Sequence, residues 1–484
     1  MESLMRWMRK SLLFMVGFWA LLICILSVKW LFLLNEPFIR IVLEIFLCIA
    51  AVIGWSWLIK SQTITEGLLS PMGMRMIKGI FLVTFVLRLW IAFDMQLVPI
   101  LDLEEIYNRA IELAENGRLV YSEQLGYVFN NVPLMMFLSY FFKLAKILGI
   151  TNYYLVGGVV NACMIQLAIY FTYRLAEITL DRKQAYFILL FCMLNPVLYV
   201  YVSYYYTDTI CIPFLMGGLY FFFKGKGGGI KGFIYEGISG VCLLIGGTIR
   251  ATVLIAGVAI IIYTVVSSKK VKWKKSMMEL LIAGFAFIAA GELFQVIYEK
   301  QIPAEVQQGA LPATHFIMMG THNDGEFSEE DFVYTISFPT KEEKASAAMQ
   351  KIKENLRELG PRGFLRLQEN KLIGVWAIGT KGYRQYMKET VKDSFLFPWL
   401  AGGKSGWFQQ YCQFYNFLLF ALLLVQTVCM WNVDKWNICH CCMIVLVGVG
   451  LLYIFWENHQ RHTICFMLIL GILSSHSLQG RQAQ

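Results

Sequence analysis

The chain is 484 residues long, 57% hydrophobic and only 15% charged, against about 25% charged in an ordinary soluble domain. That deficit excludes a soluble globular enzyme, a disordered tail protein and a nucleic-acid-binding protein. The formal net charge of +9 does not restore the last of these, because the basic residues sit in short loops between apolar runs and report membrane topology.

A spanning helix needs about 20 mostly apolar residues. The sequence predicts twelve spans, near 11–34, 40–59, 77–97, 153–174, 184–203, 207–223, 232–248, 251–268, 276–298, 413–432, 437–456 and 461–478. The fold class is therefore all-α and polytopic. The first span follows Arg6, Arg9 and Lys10 and lacks a small-residue cleavage site, so it reads as a retained signal anchor. Alternate loops hold Lys60, Arg75 and Lys78; Arg174, Arg182 and Lys183; Lys224, Lys226 and Lys231; and Lys269, Lys270, Lys272, Lys274 and Lys275. The N-terminus is then expected in the cytoplasm, and with twelve spans so is the C-terminus. The chain divides into an N-terminal helix pair (1–76), a transmembrane core (77–298) with a first outer loop (98–152), an extracytoplasmic segment (299–412) and C-terminal helices (413–484).

The first outer loop opens Pro99-Ile-Leu-Asp102-Leu-Glu104-Glu105-Ile-Tyr107 and continues as a helix to Gly117. Asp102 is placed as its N-cap, with Glu105 completing a capping box. The functional alternative is a carboxylate at the membrane edge acting as general base or metal ligand. Residues 131–149 are apolar enough to span, but begin at Pro133 and carry Lys143 and Lys146. Spanning would invert every later loop, so an interfacial or re-entrant amphipathic helix on the outer face is expected.

Further along, Asn195-Pro196 and Tyr204-Tyr205-Tyr206-Thr207-Asp208 join two spans with almost no loop. A carboxylate favours a helix N-terminus, and one dipping toward the membrane is costly and often functional. The glycines of 225–229 lack the Gly-Lys-Ser/Thr ending of a phosphate loop and read as a flexible connection. Arg250 at an outer turn is unexpected under the inside-positive rule; it either snorkels to head groups or grips a phosphate. Arg88, Asp94, Glu44, Glu236 and Glu292 fall inside spans but form no series along one face.

The second outer segment holds Pro312-Ala-Thr314-His315-Phe-Ile-Met318-Met319-Gly320, a turn at Asn323-Asp324-Gly325, a helix from Glu342 to Leu359 closed by Gly360-Pro361, and an amphipathic stretch over 362–376. A lone histidine such as His315 is more often structural than functional. Most of the twelve cysteines lie in apolar runs, where cysteine acts as a small apolar residue. Cys439-His440-Cys441-Cys442 lacks the spaced pairs of a zinc site.

The order and sidedness of these pieces resemble the type C glycosyltransferases, membrane enzymes that take a sugar from a polyprenyl-phosphate carrier, and among them the bacterial set related to family 39 and the protein O-mannosyltransferases. The resemblance rests on Asp102…Tyr107-Asn-Arg-Ala110, the outer helix from Pro133 to Gly149, Tyr206-Thr-Asp208 and the Pro312–Gly320 stretch, over roughly residues 77–320. It implies a catalytic carboxylate at Asp102, with Glu104 and Glu105 as alternatives. It further implies a second acidic position at Asp208 and substrate contacts from Arg250, Tyr107, Tyr206 and His315. The expected activity is inverting transfer from a polyprenyl-phosphate sugar to an extracytoplasmic glycan, lipid or protein, with no cofactor required. Mg or Mn held by Asp102 and Asp208 is compatible with this chemistry. On this reading Asp208→Asn lowers turnover less than Asp102→Asn if Asp208 only positions the acceptor or a metal. The competing classes are an envelope glycan polymerase or ligase and a lipid-linked glycan flippase or other transporter.

Overall fold

The computed structural model describes residues 2–119, 122–268, 273–433 and 435–475. Seventeen helices carry the architecture: α1 (Glu2–Leu33), α2 (Phe38–Lys60), α3 (Pro71–Asp94), α4 (Asp102–Asn116), α5 (Val132–Ile147), α6 (Tyr153–Thr179), α7 (Arg182–Met193), α8 (Ile212–Gly225), α9 (Gly229–Ile249), α10 (Leu254–Ser267), α11 (Trp273–Gln301), α12 (Ala313–Gly320), α13 (Glu329–Ile336), α14 (Lys341–Leu372), α15 (Gly406–Cys429), α16 (Ile438–Phe455) and α17 (Met467–Ser475). Among the described residues the only β pairing is a single bridge, Leu97 to Thr390. The protein is a polytopic all-α membrane protein, since lipid offers no partner to backbone groups and a helix satisfies its own. Lipid also explains the exposed apolar faces, such as Phe285, Ile288 and Leu293 on α11.

Among the described residues, eight helices are long and apolar enough to cross a membrane (α1, α2, α3, α6, α9, α11, α15 and α16), or nine if α7 with 197–203, bent by 64°, is counted as one broken span. The bend falls at Asn195-Pro196, inside the span drawn as continuous over 184–203. Three of the twelve expected spans are shorter than drawn. Residues 207–223 split into a short helix, Thr207–Ile210, and α8 of 14 residues, which restarts with proline in its first turn. Residues 251–268 give a 3₁₀ turn and then α10 of 14 residues. Residues 461–478 begin as the 3₁₀ turn Gln460–Phe466 before α17. The part beyond 475 lies outside the described residues, as do Lys269, Lys270 and Lys272.

α5, at 16 residues, is too short to span; it packs on α4 and α6, with Lys143 and Lys146 exposed. In α14 the Thr340–Glu343 capping box starts the helix, and Gly360 (φ 55°) before Pro361 kinks it, a conformation that a Cβ would strain. Two of the in-span charges, Arg88 and Asp94, are committed to structure. The Arg88 guanidinium donates to Gln166 Oε1 at 2.7 Å and Leu198 O at 3.2 Å and so pins the bent span. Asp94 accepts the backbone N–H of Phe395 (3.2 Å) and of Leu396 (2.8 Å).

Candidate functional site

Helix breaks bring the site together. Asp102 is not an N-cap: it is the first residue of α4, Leu101 holds the cap position, and no side chain caps the helix. Leu101 has φ 56° and ψ −139°, a region comfortable only for glycine. The expected capping box is absent because both partners are engaged elsewhere. Asp102 Oδ2 lies 3.0 Å from the Tyr206 hydroxyl, and Glu105 accepts from Arg109 Nε at 2.9 Å and Ser122 Oγ at 2.6 Å. Glu104 is exposed. The Tyr206 hydroxyl also lies 3.1 Å from Asn131 Oδ1 at the start of α5, so it has two acceptors for one proton.

Two residues on, Asp208 is fully buried in the short helix that breaks away from α8. Its Oδ1 lies 2.7 Å from an Arg250 terminal nitrogen, and its Oδ2 3.6 Å from Arg461 Nε. These contacts are ion pairs rather than hydrogen bonds, and neither Asp208 oxygen, nor Arg250 Nε, nor Arg461 Nε has a hydrogen-bond partner. Arg250 also donates to Thr207 Oγ1 at 3.2 Å. Arg461 donates to the Tyr204 hydroxyl at 3.1 Å, and its guanidinium stands 4.2 Å and 4.7 Å from the ring centres of Tyr206 and Tyr386, a cation–π arrangement. Burial opposes the charge of both arginines, but Asp208 counters it for Arg250, and Tyr204, Tyr206 and Asp208 counter it for Arg461; both pKa values rise.

Tyr386 arrives on a segment that dips into the bundle after α14. The π-turn Ile373–Ala377 places Trp376 edge-on to Trp19 at 4.6 Å. Lys381, buried, donates to the carbonyls of Val375 and Trp376 at 3.2 Å each. Hydrogen bonds Val391 N to Gln96 O (2.7 Å) and Val98 N to Glu389 O (3.2 Å) stitch this segment to the strand entering α4. The Tyr386 hydroxyl meets His459 Nε2 at 2.5 Å, and the His459 and His462 rings are 5.3 Å apart. Burial, reinforced by Arg461 and Arg250, pushes His459 down to about 3, so it is neutral. Burial pushes Glu457 up to about 7, against the pull of Arg461.

The structure thus joins Asp102, Tyr206, Asp208 and Arg250 into one cluster. It leaves Tyr107 and His315 out of it. Tyr107 stacks on Tyr154 at 4.7 Å inside the aromatic core. His315 Nδ1 bonds to Thr335 Oγ1 at 2.8 Å in the outer helices, and burial lowers it to about 4. The Pro312–Gly320 stretch acts as a buttress instead. Glu457 N donates to Phe316 O at 3.0 Å, and a Cβ on Gly320 would lie 2.1 Å from Phe455 O. The sequence reading missed Asn131, Tyr204, Tyr386, Glu457, His459, Arg461 and His462. One signal was available, the polar run Glu457-Asn-His459-Gln-Arg461-His462 between the last two spans.

The donor set does not fit Mg or Mn. Tyr206 takes one Asp102 oxygen and guanidinium groups face both Asp208 oxygens. No group of three His, Cys, Asp or Glu among the described residues could hold a metal ion. Beside the cluster, an apolar cavity of about 350 Å³ lies between α1, α14 and α16, lined by Val16, Trp19, Leu372, Trp376, Leu446 and Tyr453 among others. The Tyr453 hydroxyl donates to His462 O at 3.4 Å, which joins cavity and cluster.

Fold and site together define a polytopic all-α integral membrane protein with a buried ionic cluster at one end of its bundle. Residues 10–480 match the family described as conserved hypothetical integral membrane protein, and the chain belongs to that family. No curated protein matches the chain. Among solved structures, ArnT from Cupriavidus metallidurans bound to undecaprenyl phosphate is similar at 12% identity and TM-score 0.38, over 85% of this chain and 78% of that one. The archaeal oligosaccharyltransferase AglB from Archaeoglobus fulgidus, in complex with an inhibitory peptide and a dolichol-phosphate, is similar at 10% identity and TM-score 0.41, over 84% of this chain and 50% of that one. Likeness at this level assigns no reaction.

Proposed function

We propose that the protein is a membrane glycosyltransferase that moves a sugar, with inversion, from a polyprenyl-phosphate donor to an acceptor hydroxyl on the extracytoplasmic side. The carrying observation is the convergence of Asp102, Tyr206, Asp208 and Arg250 with Arg461 on one end of the bundle, next to an apolar cavity. That end is then the outer one, because Lys60, Arg182, Lys224 and Lys275 lie at the opposite helix ends, which the inside-positive rule assigns to the cytoplasm.

Asp102 is half-buried, and among the described residues only Tyr206 bonds its carboxylate. Its second oxygen is open to an acceptor hydroxyl. In the reaction the acceptor oxygen attacks the anomeric carbon, its proton passes to Asp102, and the bond from that carbon to the phosphate oxygen breaks. The departing phosphate gains negative charge, which Arg250, whose Nε–H has no acceptor, is suited to receive, with the charge of Arg461 beside it. Asp208 fixes both guanidiniums in advance. The few isoprene units nearest the phosphate are assigned to the apolar cavity, whose volume of about 350 Å³ is too small for a whole polyprenyl chain. Arg88 and Asp94 are tied into the scaffold, which speaks against a polar transport path through those spans.

Asp102→Asn tests the reading. It keeps an oxygen for Tyr206 and removes the base. Transfer from a polyprenyl-phosphate sugar in vesicles should fall by about 10²–10⁴-fold with donor binding retained. Turnover within a few-fold of the parent, for this variant and for Glu104→Gln and Glu105→Gln, rejects a carboxylate base in this loop.

A further inference from the structure

The Tyr206 hydroxyl stands between two acceptors, Asp102 Oδ2 at 3.0 Å and Asn131 Oδ1 at 3.1 Å, and has one proton to give. The oxygen itself is held in place. Tyr206 is buried, with its ring under the Arg461 guanidinium at 4.2 Å and beside the Tyr204 ring at 5.6 Å. What stays free is rotation of the O–H bond, which turns to whichever acceptor is stronger.

Asn131 supplies a second observation. It occupies the N-cap of α5, where asparagine is among the best capping residues, yet its side chain caps no backbone N–H. Pro133 in the first turn removes one of the N–H donors that such a cap would satisfy. The Asn131 side chain, 1% exposed, turns to Tyr206 instead, and Asn130 Nδ2 donates to the same Oδ1 at 3.4 Å. A capping residue at a cap position that does not cap has its buried oxygen committed to the phenol.

We propose that Tyr206 and Asn131 form a two-position proton switch that sets how firmly Asp102 holds a proton, with Asn131 as a positioning residue. A hydrogen bond to an ionised group is roughly twice as strong as a neutral one, so the phenol proton points to Asp102 while that carboxylate is charged. Once Asp102 has taken a proton on its open oxygen, that advantage is lost and the O–H bond turns to Asn131. The phenol keeps its proton in both positions, so no bond to hydrogen is made or broken in the switch. Each charge state of Asp102 is matched by one orientation of Tyr206. As a device for sugar transfer the switch rests on the reading of Asp102 as the base.

Each removal has its own sign. Tyr206→Phe deletes the donor that favours the charged carboxylate, so Asp102 should take up its proton at higher pH. Asn131→Leu deletes the alternative acceptor and disfavours the protonated state, so Asp102 should take up its proton at lower pH. The other ionisable groups facing Asp102 are Arg461 and Glu457 from the turn after α16, Tyr204 beside Tyr206, and Tyr386 from the inserted segment. On α4 itself Glu104 is exposed and Glu105 is tied to Arg109 and Ser122. All of them are the same in parent and variants, so only differences between chains are read.

The full chain in detergent micelles is treated with a water-soluble carbodiimide and an amine over a series of pH values. Fragment masses resolve labelling at Asp102 from that at Glu104 and Glu105. The reagent needs a protonated carboxyl, so labelling falls as pH rises, and the pH of half-labelling is compared. It should rise by about one unit in Tyr206→Phe and fall in Asn131→Leu. A 3-fluorotyrosine placed at position 206 is a stronger donor of nearly the same shape; it should lower the half-labelling pH, and it serves if a substitution fails to fold. The proposal is overturned if Asn131→Leu labels as the parent does, if both variants shift in the same direction, or if the fluorinated chain does not shift downward. No sugar donor or acceptor enters the assay. Normal transfer by Asp102→Asn with these shifts present removes the base and leaves the switch; lost transfer with the shifts absent does the reverse.

Discussion

Asp208→Asn isolates the charge that holds the cluster together. The side chain is nearly isosteric, so packing is preserved while one negative charge disappears between two guanidiniums. Side-chain exposures are 1% for Asp208, 11% for Arg250 and 10% for Arg461, so water cannot replace the lost partner. Removing one member of a buried ion pair costs roughly 3–5 kcal/mol, because the other charge stays buried and uncompensated; here two charges are left. With an unfolding entropy of about 2.1 cal/mol/K per residue, a chain of 484 residues should lose about 3–5 °C in melting temperature. The assay is thermal unfolding in detergent for Asp208→Asn, Arg461→Gln and the double variant. Removing one guanidinium as well should restore part of the loss, so the double variant should melt above the sum of the single effects. Strict additivity, or a single-variant melting temperature equal to the parent's, would refute the charge argument. Asp102→Asn should cost less stability than Asp208→Asn, since it leaves a half-exposed amide with its Tyr206 contact.

Gly320→Ala places a methyl 2.1 Å from the Phe455 carbonyl; overpacking of about 1–3 kcal/mol or more should lower the melting temperature, and an unchanged melt would show that α12 does not clamp the 455–458 turn. Leu101→Gly should raise the melting temperature, since relief of about 1–3 kcal/mol of backbone strain exceeds the roughly 0.5–1 kcal/mol entropic cost of glycine; a lower one would contradict a strained φ of 56°. Acid should destabilise the fold through its buried histidines: burial holds His315 at about 4 and His459 at about 3 against 6.5 when unperturbed. As pH falls from about 6.5 toward these values the unfolded chain binds protons that the folded chain does not, so stability declines. Glu457, raised to about 7, works the other way as pH falls, so the test is a comparison: from pH 7 to 4 the parent should lose melting temperature relative to His315→Asn, and a constant difference between the two would contradict the argument.

The sequence made the bundle legible because lipid imposes a length and a composition on every crossing helix. Nine of the twelve expected spans correspond to eight long helices and one bent pair. The other three failed for one reason: apolar runs report what tolerates lipid, not where a helix stops. Thr207–Ile210 runs directly into α8 and Gln460–Phe466 directly into α17, so each polar turn was absorbed into the apolar run that follows it. Only their packing against each other shows that both are separate turns. Asp102, Asp208 and Arg250 could be picked out because each is a charge beside apolar sequence, where an ion is expensive. Arg461 carries the same signal but was absorbed into a span. Tyr107 and His315 lie outside the cluster for a different reason. A motif names a residue type, and helix phase decides whether its side chain enters the cluster or, as with Tyr107 against Tyr154 and His315 against Thr335, turns into the packing.

The same breaks explain why the ionic cluster can exist in so apolar a chain. A continuous helix at 207–223 or 461–478 would bond every backbone group to itself and carry its side chains at fixed intervals. Broken, the two turns face one another. Arg250 reaches the Thr207 hydroxyl and the His462 carbonyl at once (3.2 and 3.4 Å), and Arg461 is held between rings from 204–206 and from the inserted segment at Tyr386. Each guanidinium thus bridges at least two chain segments. Loss of a single bridge, such as the 2.9 Å bond from Lys371 to the Gly320 carbonyl behind the 455–458 turn, would leave the charges in place but free to separate. The cluster depends on rigid backing from three segments, and the residues that supply it, Gly320, Lys371 and Lys381, lie outside the ion pairs themselves.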